Sequence, residues 1–130
     1  MKNSEARAFK WVEFVAFRPE FPQGSRLLAA FRAGSITRIC DCGCNSFDIE
    51  VPAAAGVIPL AASGRYGGIF RFEFHTQADG GDLAFRLYAD ESGHLAGLDV
   101  EYRGNSFPVP SEPLLVEPPY NVFASTRLGT

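Results

Sequence analysis

The amino-acid sequence predicts an α+β fold: two N-terminal helices packed on an antiparallel meander sheet of four or five strands, followed by an extended Pro-rich C-terminal tail. Three observations predict it. Apolar residues recur at helical spacing near the N-terminus, later segments alternate between apolar and polar residues, and five of the nine prolines follow Gly104. We therefore expect a single domain over residues 1–130, helical over 1–34, a sheet over 35–103 and a tail over 104–130.

The first predicted helix covers residues 4–17, where Ser4 is the candidate N-cap and apolar side chains recur every three or four residues. The segment 11–17 is rich in aromatic and β-branched residues, so a strand is the competing assignment. The second helix lies within "GSRLLAAFRAG", with Ser25 as the candidate cap and Gly34 as the residue that ends it. We expect these two helices to cover the apolar face of the sheet.

The strands follow the helices. The segments "ITRIC" and "FDIEV" flank a cysteine-rich stretch, and the connector over residues 52–68 shows neither a helical nor a strand pattern. Three clear strands come next, "IFRFEFHT", "LAFRLYAD" and "LAGLDVEYR", joined by the glycine-containing turns "QADGGD" and "DESGH". Their alternation predicts one apolar face and one charged face. In the first of them, Phe70, Phe72 and Phe74 should point into the core.

The stretch "CDCGC" holds all three cysteines of the chain and allows three interpretations. The favoured one is a hairpin turn with Gly43 in the left-handed conformation and reduced thiols that pack as small apolar groups. A metal site is the second, but Cys40, Cys42 and Cys44 lack the Cys-x₂-Cys spacing of zinc knuckles and would need a further ligand such as His75. A disulfide between Cys40 and Cys44 is the third. We expect no cofactor and no resident metal.

Bulk composition excludes several classes of function. Fifteen acidic and twelve basic residues give a net charge of −3, which disfavours binding to the phosphate backbone of a nucleic acid. No stretch reaches the roughly 18–20 apolar residues of a membrane span, and the charged N-terminus does not resemble a signal peptide. We therefore expect a cytoplasmic protein that binds neither nucleic acid nor membrane.

No catalytic motif stands out, and we expect a protein that is not an enzyme. The sequence lacks Gly-x-Ser-x-Gly and His-Glu-x-x-His, and "GRYGG" lacks the lysine of a phosphate loop. A nucleophilic triad needs a histidine that activates a serine or cysteine. His75 is expected on the charged strand face, in solvent, and His94 is expected to be exposed in a turn.

The charged face of the predicted sheet is the strongest candidate for binding. It combines carboxylates with a tyrosine and arginines, and protein interfaces are enriched in Tyr and Arg. An ordinary salt-bridged surface is the alternative. The residues expected to contact a protein partner are Asp48, Glu50, Glu73, Tyr88, Asp99 and Glu101.

The order of a helix, "RLLAAF", a strand, "CDCGC", an amphipathic strand and "GHLAGLDVEY" resembles small, poorly characterised bacterial proteins with a Cys-x-Cys-Gly-Cys element. The resemblance covers residues 24–51 and 93–113. In size, acidity and lack of catalytic residues the chain is similar in type to immunity proteins of contact-dependent inhibition and other polymorphic-toxin systems. This resemblance implies a non-enzymatic module that neutralises a bacterial toxin domain by direct binding. The alternative is a small metal- or thiol-dependent protein that uses the cysteine turn.

Overall fold

A computed structural model describes residues 3–40 and 43–128 of the chain. In this part, two helices precede a six-stranded antiparallel sheet with the spatial order β1-β2-β5-β4-β3-β6. The elements are α1 (Glu5–Ala16), α2 (Gly24–Ala33), β1 (Ser35–Ile39), β2 (Phe47–Glu50), β3 (Gly67–His75), β4 (Asp82–Ala89), β5 (Leu95–Tyr102) and β6 (Asn121–Ala124), with a single 3₁₀ turn over Ala53–Ala55. The predicted α+β class is confirmed, but the expected four or five strands are too few.

The first helix begins at the predicted polar cap, whereas the second begins without one. The Ser4 side chain accepts a hydrogen bond from the backbone N–H of Arg7, as expected for an N-cap, and the competing strand assignment is wrong. In the second helix the predicted cap is wrong, because Ser25 lies inside the first turn and Gln23 occupies the cap position without a side-chain hydrogen bond. Gly34 ends this helix in an extended conformation that leads directly into β1.

The sheet is not the simple meander that the sequence predicts. β3, β4 and β5 form a meander, and β1 and β2 form a hairpin, but β2 pairs with β5 rather than with β3. The connector over 51–66 therefore passes the end of the sheet, where the N–H groups of Leu60 and Ala61 both donate to the carbonyl of Gly93. A side chain at Gly93 would collide with Ala61, and the φ of +86° also requires glycine. This packing buries His94, which was expected to be exposed.

The C-terminal segment is docked along the domain, and its description as an extended tail is wrong for residues 121–124. These residues form β6, which pairs antiparallel with β3. Before it, the N–H of Gln77 donates to Leu114 and the N–H of Val116 donates to His75. Prolines cannot donate to a sheet ladder, but "NVFA" contains none and can therefore serve as an edge strand.

The core lies between the helices and one face of the sheet. Phe70, Phe72 and Phe74 are buried, as their alternation predicted. Phe14 of α1 lies among the core rings, 5.0 Å from the ring centroid of Phe85 and 6.0 Å from that of Phe72. Such aromatic contacts add roughly 0.5–1.5 kcal/mol each to the free energy gained from burying apolar area. This face therefore supplies most of the stability of the fold.

A buried polar cluster fastens α1 to the loop between β1 and β2. The Asn45 side-chain oxygen accepts hydrogen bonds from Arg7 Nε at 2.9 Å and from Trp11 Nε1 at 2.8 Å. The Arg7 guanidinium also donates to the carbonyls of Pro110 and Ser111. Burial lowers the pKa of Arg7, and these acceptors compensate its lost hydration. Helix, loop and C-terminal segment thus meet at one arginine.

Neither helix of the described residues has the length and apolar character needed to cross a bilayer.

Candidate functional site

The face of the sheet that points away from the helices, called here the open face, carries most of the charged strand residues. Alternation along the paired strands sends these side chains to the side opposite Phe72 and Phe85. Among the described strand residues, three arginines and six carboxylates lie there: Arg38, Arg71, Arg86, Asp48, Glu50, Glu73, Asp82, Asp99 and Glu101. The open face therefore carries an excess of negative charge.

All six residues expected to contact a partner lie on this face. They come from four strands: Asp48 and Glu50 from β2, Glu73 from β3, Tyr88 from β4, and Asp99 and Glu101 from β5. Pairing of β2 with β5 brings Asp48 beside the centre of the face, because Asp48 lies opposite Gly97. Sequence alternation alone did not reveal that these two strands are neighbours.

Two cross-strand pairs occupy the centre of the open face. Tyr88 donates a hydrogen bond to Asp99 Oδ2 at 2.9 Å, and Arg86 donates to Glu101 Oε2 at 3.1 Å. Burial raises the pKa of Tyr88 to about 12, and the hydrogen bond to the ionised Asp99 adds to this shift. Tyr88 is therefore a neutral donor at physiological pH.

The margins of the face carry pairs that are more exposed. Arg38 Nε lies 2.9 Å from Asp48 Oδ2 at the β1 edge, with the Arg38 side chain largely in solvent and the Asp48 side chain about half exposed. Near β6, Tyr120 donates to Glu73 Oε2 at 2.7 Å. Glu50 is exposed, and no hydrogen bond or ion pair joins its carboxylate to the described residues. The acidic groups thus differ in how much of their charge is already compensated.

His75 is exposed on the open face, as expected, and it is held in a defined orientation. Its Nδ1 lies 3.0 Å from Asp82 Oδ1, and its ring stacks on Tyr120 with a centroid distance of 4.2 Å. The strand β3 that carries His75 is separated from β2 by two strands, which amounts to roughly 14 Å. His75 therefore lies too far from the β1–β2 loop to join a site with the cysteines.

Cys40, Gly43 and Cys44 lie between β1 and β2. Gly43 has a φ of +98°, and the backbone N–H of Cys40 donates to the carbonyl of Ser46. Cys44 is buried and Cys40 is half-buried, while Cys42 lies outside the described residues. Within residues 3–40 and 43–128, no group of three histidine, cysteine or carboxylate side chains is placed to hold a metal ion.

A cavity that sequence reasoning missed opens on the same face, between β4 and the edge strand β6. Its volume is about 230 Å³, and its lining residues are Gly68, Phe70, Arg71, Arg86, Tyr88 and Phe123. Arg71 and Arg86 lie directly opposite each other on β3 and β4. The alternation signal identified both arginines as residues of the charged face, but only the strand register shows that they face each other.

Comparison of the chain with protein-family models, with curated proteins and with solved structures gives no match. The resemblance to bacterial proteins with a Cys-x-Cys-Gly-Cys element, and to immunity proteins, therefore remains an expectation from the sequence.

Proposed function

We propose that this protein is a non-enzymatic protein-binding module, an immunity-type protein that neutralises a bacterial toxin domain by binding it directly through the open face. One observation carries the proposal. Six carboxylates and three arginines share a sheet face that points away from both helices. A sheet face that is left uncovered and is this rich in charge is suited to contact with another macromolecule.

The charge of the face supports a basic partner. Asp99 is engaged by the neutral Tyr88, so its negative charge stays uncompensated by that contact. Glu50 is exposed, and no cationic side chain of residues 3–40 and 43–128 is paired with it. Carboxylates of this kind attract a basic surface during encounter and accelerate association, an effect that salt weakens. The acidic excess thus favours a partner with a positively charged docking surface.

Aromatic residues around the face support a protein partner in particular. Tyr66 stacks on Tyr88 with a centroid distance of 6.3 Å and is 55% exposed, and Phe123 at the β6 edge is 51% exposed. Tyr120 is also half in solvent beside His75. Binding energy at protein interfaces concentrates in such amphipathic rings, with charged groups around them. The open face combines both kinds of group.

The test begins with the gene next to that of this chain: a C-terminal toxin domain encoded there is the expected partner and is expressed as a catalytically inactive variant. Its association rate with the wild-type chain and with Glu50→Lys is measured by surface plasmon resonance at low and at physiological salt. Reversing the charge of Glu50 should slow association about three- to tenfold at low salt, because steering is lost, and should leave folding unchanged. Co-expression of the wild-type chain with the active toxin should restore growth.

Glu91→Lys is the matched control. Glu91 is exposed in the turn between β4 and β5, and the substitution changes the net charge by the same amount without touching the strands of the open face. Equal slowing by both variants would mean that only net charge matters and would contradict docking through this face. A toxin domain that neither binds nor is neutralised would contradict the immunity function as a whole.

A further inference from the structure

The cavity between β4 and β6 lies where two arginines meet on neighbouring strands. Arg71 and Arg86 are directly opposite each other in the β3–β4 register. Like charges in this arrangement repel each other, and an anion between them would add to the relief that the neighbouring carboxylates of Glu73 and Glu101 already give. Because the cavity of about 230 Å³ opens between these two side chains, the chain has space for such an anion. We propose that this cavity is a binding site for a small carboxylate with an aromatic or apolar body.

Arg71 is the residue with most capacity for a ligand. Its Nε is shielded from solvent and has no hydrogen-bond partner among the described residues. Glu73 Oε1 lies 3.5 Å from this nitrogen, close enough for attraction between the charges but not for a hydrogen bond of good geometry. An arginine offers five donors in a planar fork that matches a carboxylate. Arg71 therefore keeps donors that a carboxylate can use.

The surrounding charges favour a carboxylate over a phosphate. Arg86 already donates to Glu101, and Glu73 lies beside Arg71. Two carboxylates thus accompany the two arginines, so a doubly charged phosphate would meet repulsion that a singly charged carboxylate meets only in part. The guanidinium fork matches both anions in geometry, so the number of charges on the anion decides between them.

The walls of the cavity determine what kind of body the carboxylate ligand can carry. Phe123 and Tyr88 contribute rings, Gly68 contributes bare backbone, and the Arg71 guanidinium lies over the Phe123 ring at 5.9 Å. Aromatic walls take an apolar or planar body that stacks or packs against them. The cavity is smaller than the roughly 300–1,000 Å³ of sites for drug-sized ligands, which indicates a small molecule. The proposal needs no toxin and stands or falls independently of the proposed function.

The test is a titration of the full chain with sodium benzoate, followed by the NMR shifts of backbone amides. Saturable shifts should occur at the amides of Gly68, Tyr88 and Phe123 and not at residues of the helices. Benzamide, the neutral analogue, should bind at least about tenfold more weakly, because it offers no charge to the arginines. Inorganic phosphate is the second anion and should also bind more weakly than benzoate.

Four variants make the test specific. Arg71→Gln should abolish saturable benzoate binding, and Arg71→Lys should weaken it because lysine keeps the charge but loses the planar fork. Arg38→Gln is the matched control, since Arg38 lies on the open face, paired with Asp48, outside the cavity. If Arg71→Gln fails to fold, Phe123→Ala, at an exposed edge position, tests instead whether the aromatic wall of the cavity contributes to benzoate binding. Absence of saturable shifts in the wild type, equal binding of benzamide, or equal loss in Arg38→Gln would each overturn the proposal.

Discussion

The two faces of the sheet are built from the same strands but hold different kinds of interaction. Along β3, Phe70, Phe72 and Phe74 are buried against the helices, while Arg71 and Glu73 between them stay partly in solvent. On the covered side the contacts are apolar and add stability through burial. On the open side the contacts are charge pairs, which contribute little to stability in water. The difference teaches that substitutions on the open face can change binding without unfolding the chain.

The largest expected loss of stability comes from a substitution on the covered face. Phe72→Ala should lower the free energy of unfolding by about 3–5 kcal/mol, because the ring is fully buried and packs against Phe14, Phe70, Phe74 and Phe85. Equilibrium unfolding in urea, followed by the fluorescence of Trp11, measures this change. A loss below about 1 kcal/mol would show that the core between the helices and β3 is packed differently.

Polar contacts on the covered side should contribute more to the free energy of unfolding than those on the open face. Asn45→Ala should cost about 2–3 kcal/mol, because it leaves the buried Arg7 Nε and the Trp11 indole N–H without their acceptor. The measurement is the same urea transition. The control is Asp48→Ala, which removes a half-exposed ion-pair residue on the open side of the same hairpin. If both variants lower the free energy of unfolding equally, burial does not make the polar contacts of the covered side stronger than those of the open face.

The sequence predicted those parts of the fold that depend on local patterns. The cap at Ser4, the inward phenylalanines of β3 and the positive φ of Gly43 follow from residue type and spacing alone. The pairing of β2 with β5 and the edge strand β6 do not, because they depend on contacts between residues far apart in the chain. Pairing between strands that are far apart in the sequence leaves no periodic pattern of residues.

The candidate site follows the same division. The sequence predicted a charged face, since alternation sorts Arg71 and Arg86 to one side of their strands. It could not predict that the two arginines are direct neighbours, or that Phe123 from the C-terminal segment closes the cavity beside them. Burial of His94 was missed for a similar reason, because the distant connector residues 60 and 61 cover its turn.

A smaller effect is expected at the centre of the open face. Tyr88→Phe should cost about 0.5–1 kcal/mol at pH 7, because it removes the hydrogen bond to Asp99 in a site that water still reaches. The pKa of Tyr88 in the folded protein is about 12, above the value of about 10 for a free tyrosine. The phenol therefore stabilises the fold fully below pH ~10, and this contribution disappears as the pH rises through about 12.

Phenolate absorbance during a base titration measures this shift. The pKa values of Tyr66 and Tyr120 are also raised, so the informative quantity is the difference between the two titrations, and Tyr88→Phe should lack one phenolate that forms near pH 12 in the wild type. Loss of a step near pH 10 instead would mean that Tyr88 is hydrated and does not donate to Asp99.

The smallest effect is expected at Glu50. Its side chain is exposed at the end of β2, and no cation or donor of the described residues holds its carboxylate. Glu50→Ala should therefore change the free energy of unfolding by less than about 0.5 kcal/mol, with an unchanged dependence on urea concentration. Glu101→Ala is the matched comparison, since Glu101 is half-buried and accepts from Arg86, and it should cost more than Glu50→Ala. A loss above 1 kcal/mol at Glu50 would show that this carboxylate is part of the folded network. The near-zero value expected here is what makes Glu50→Lys a clean probe of association with a partner, because any slower binding then reflects charge and not damage to the fold.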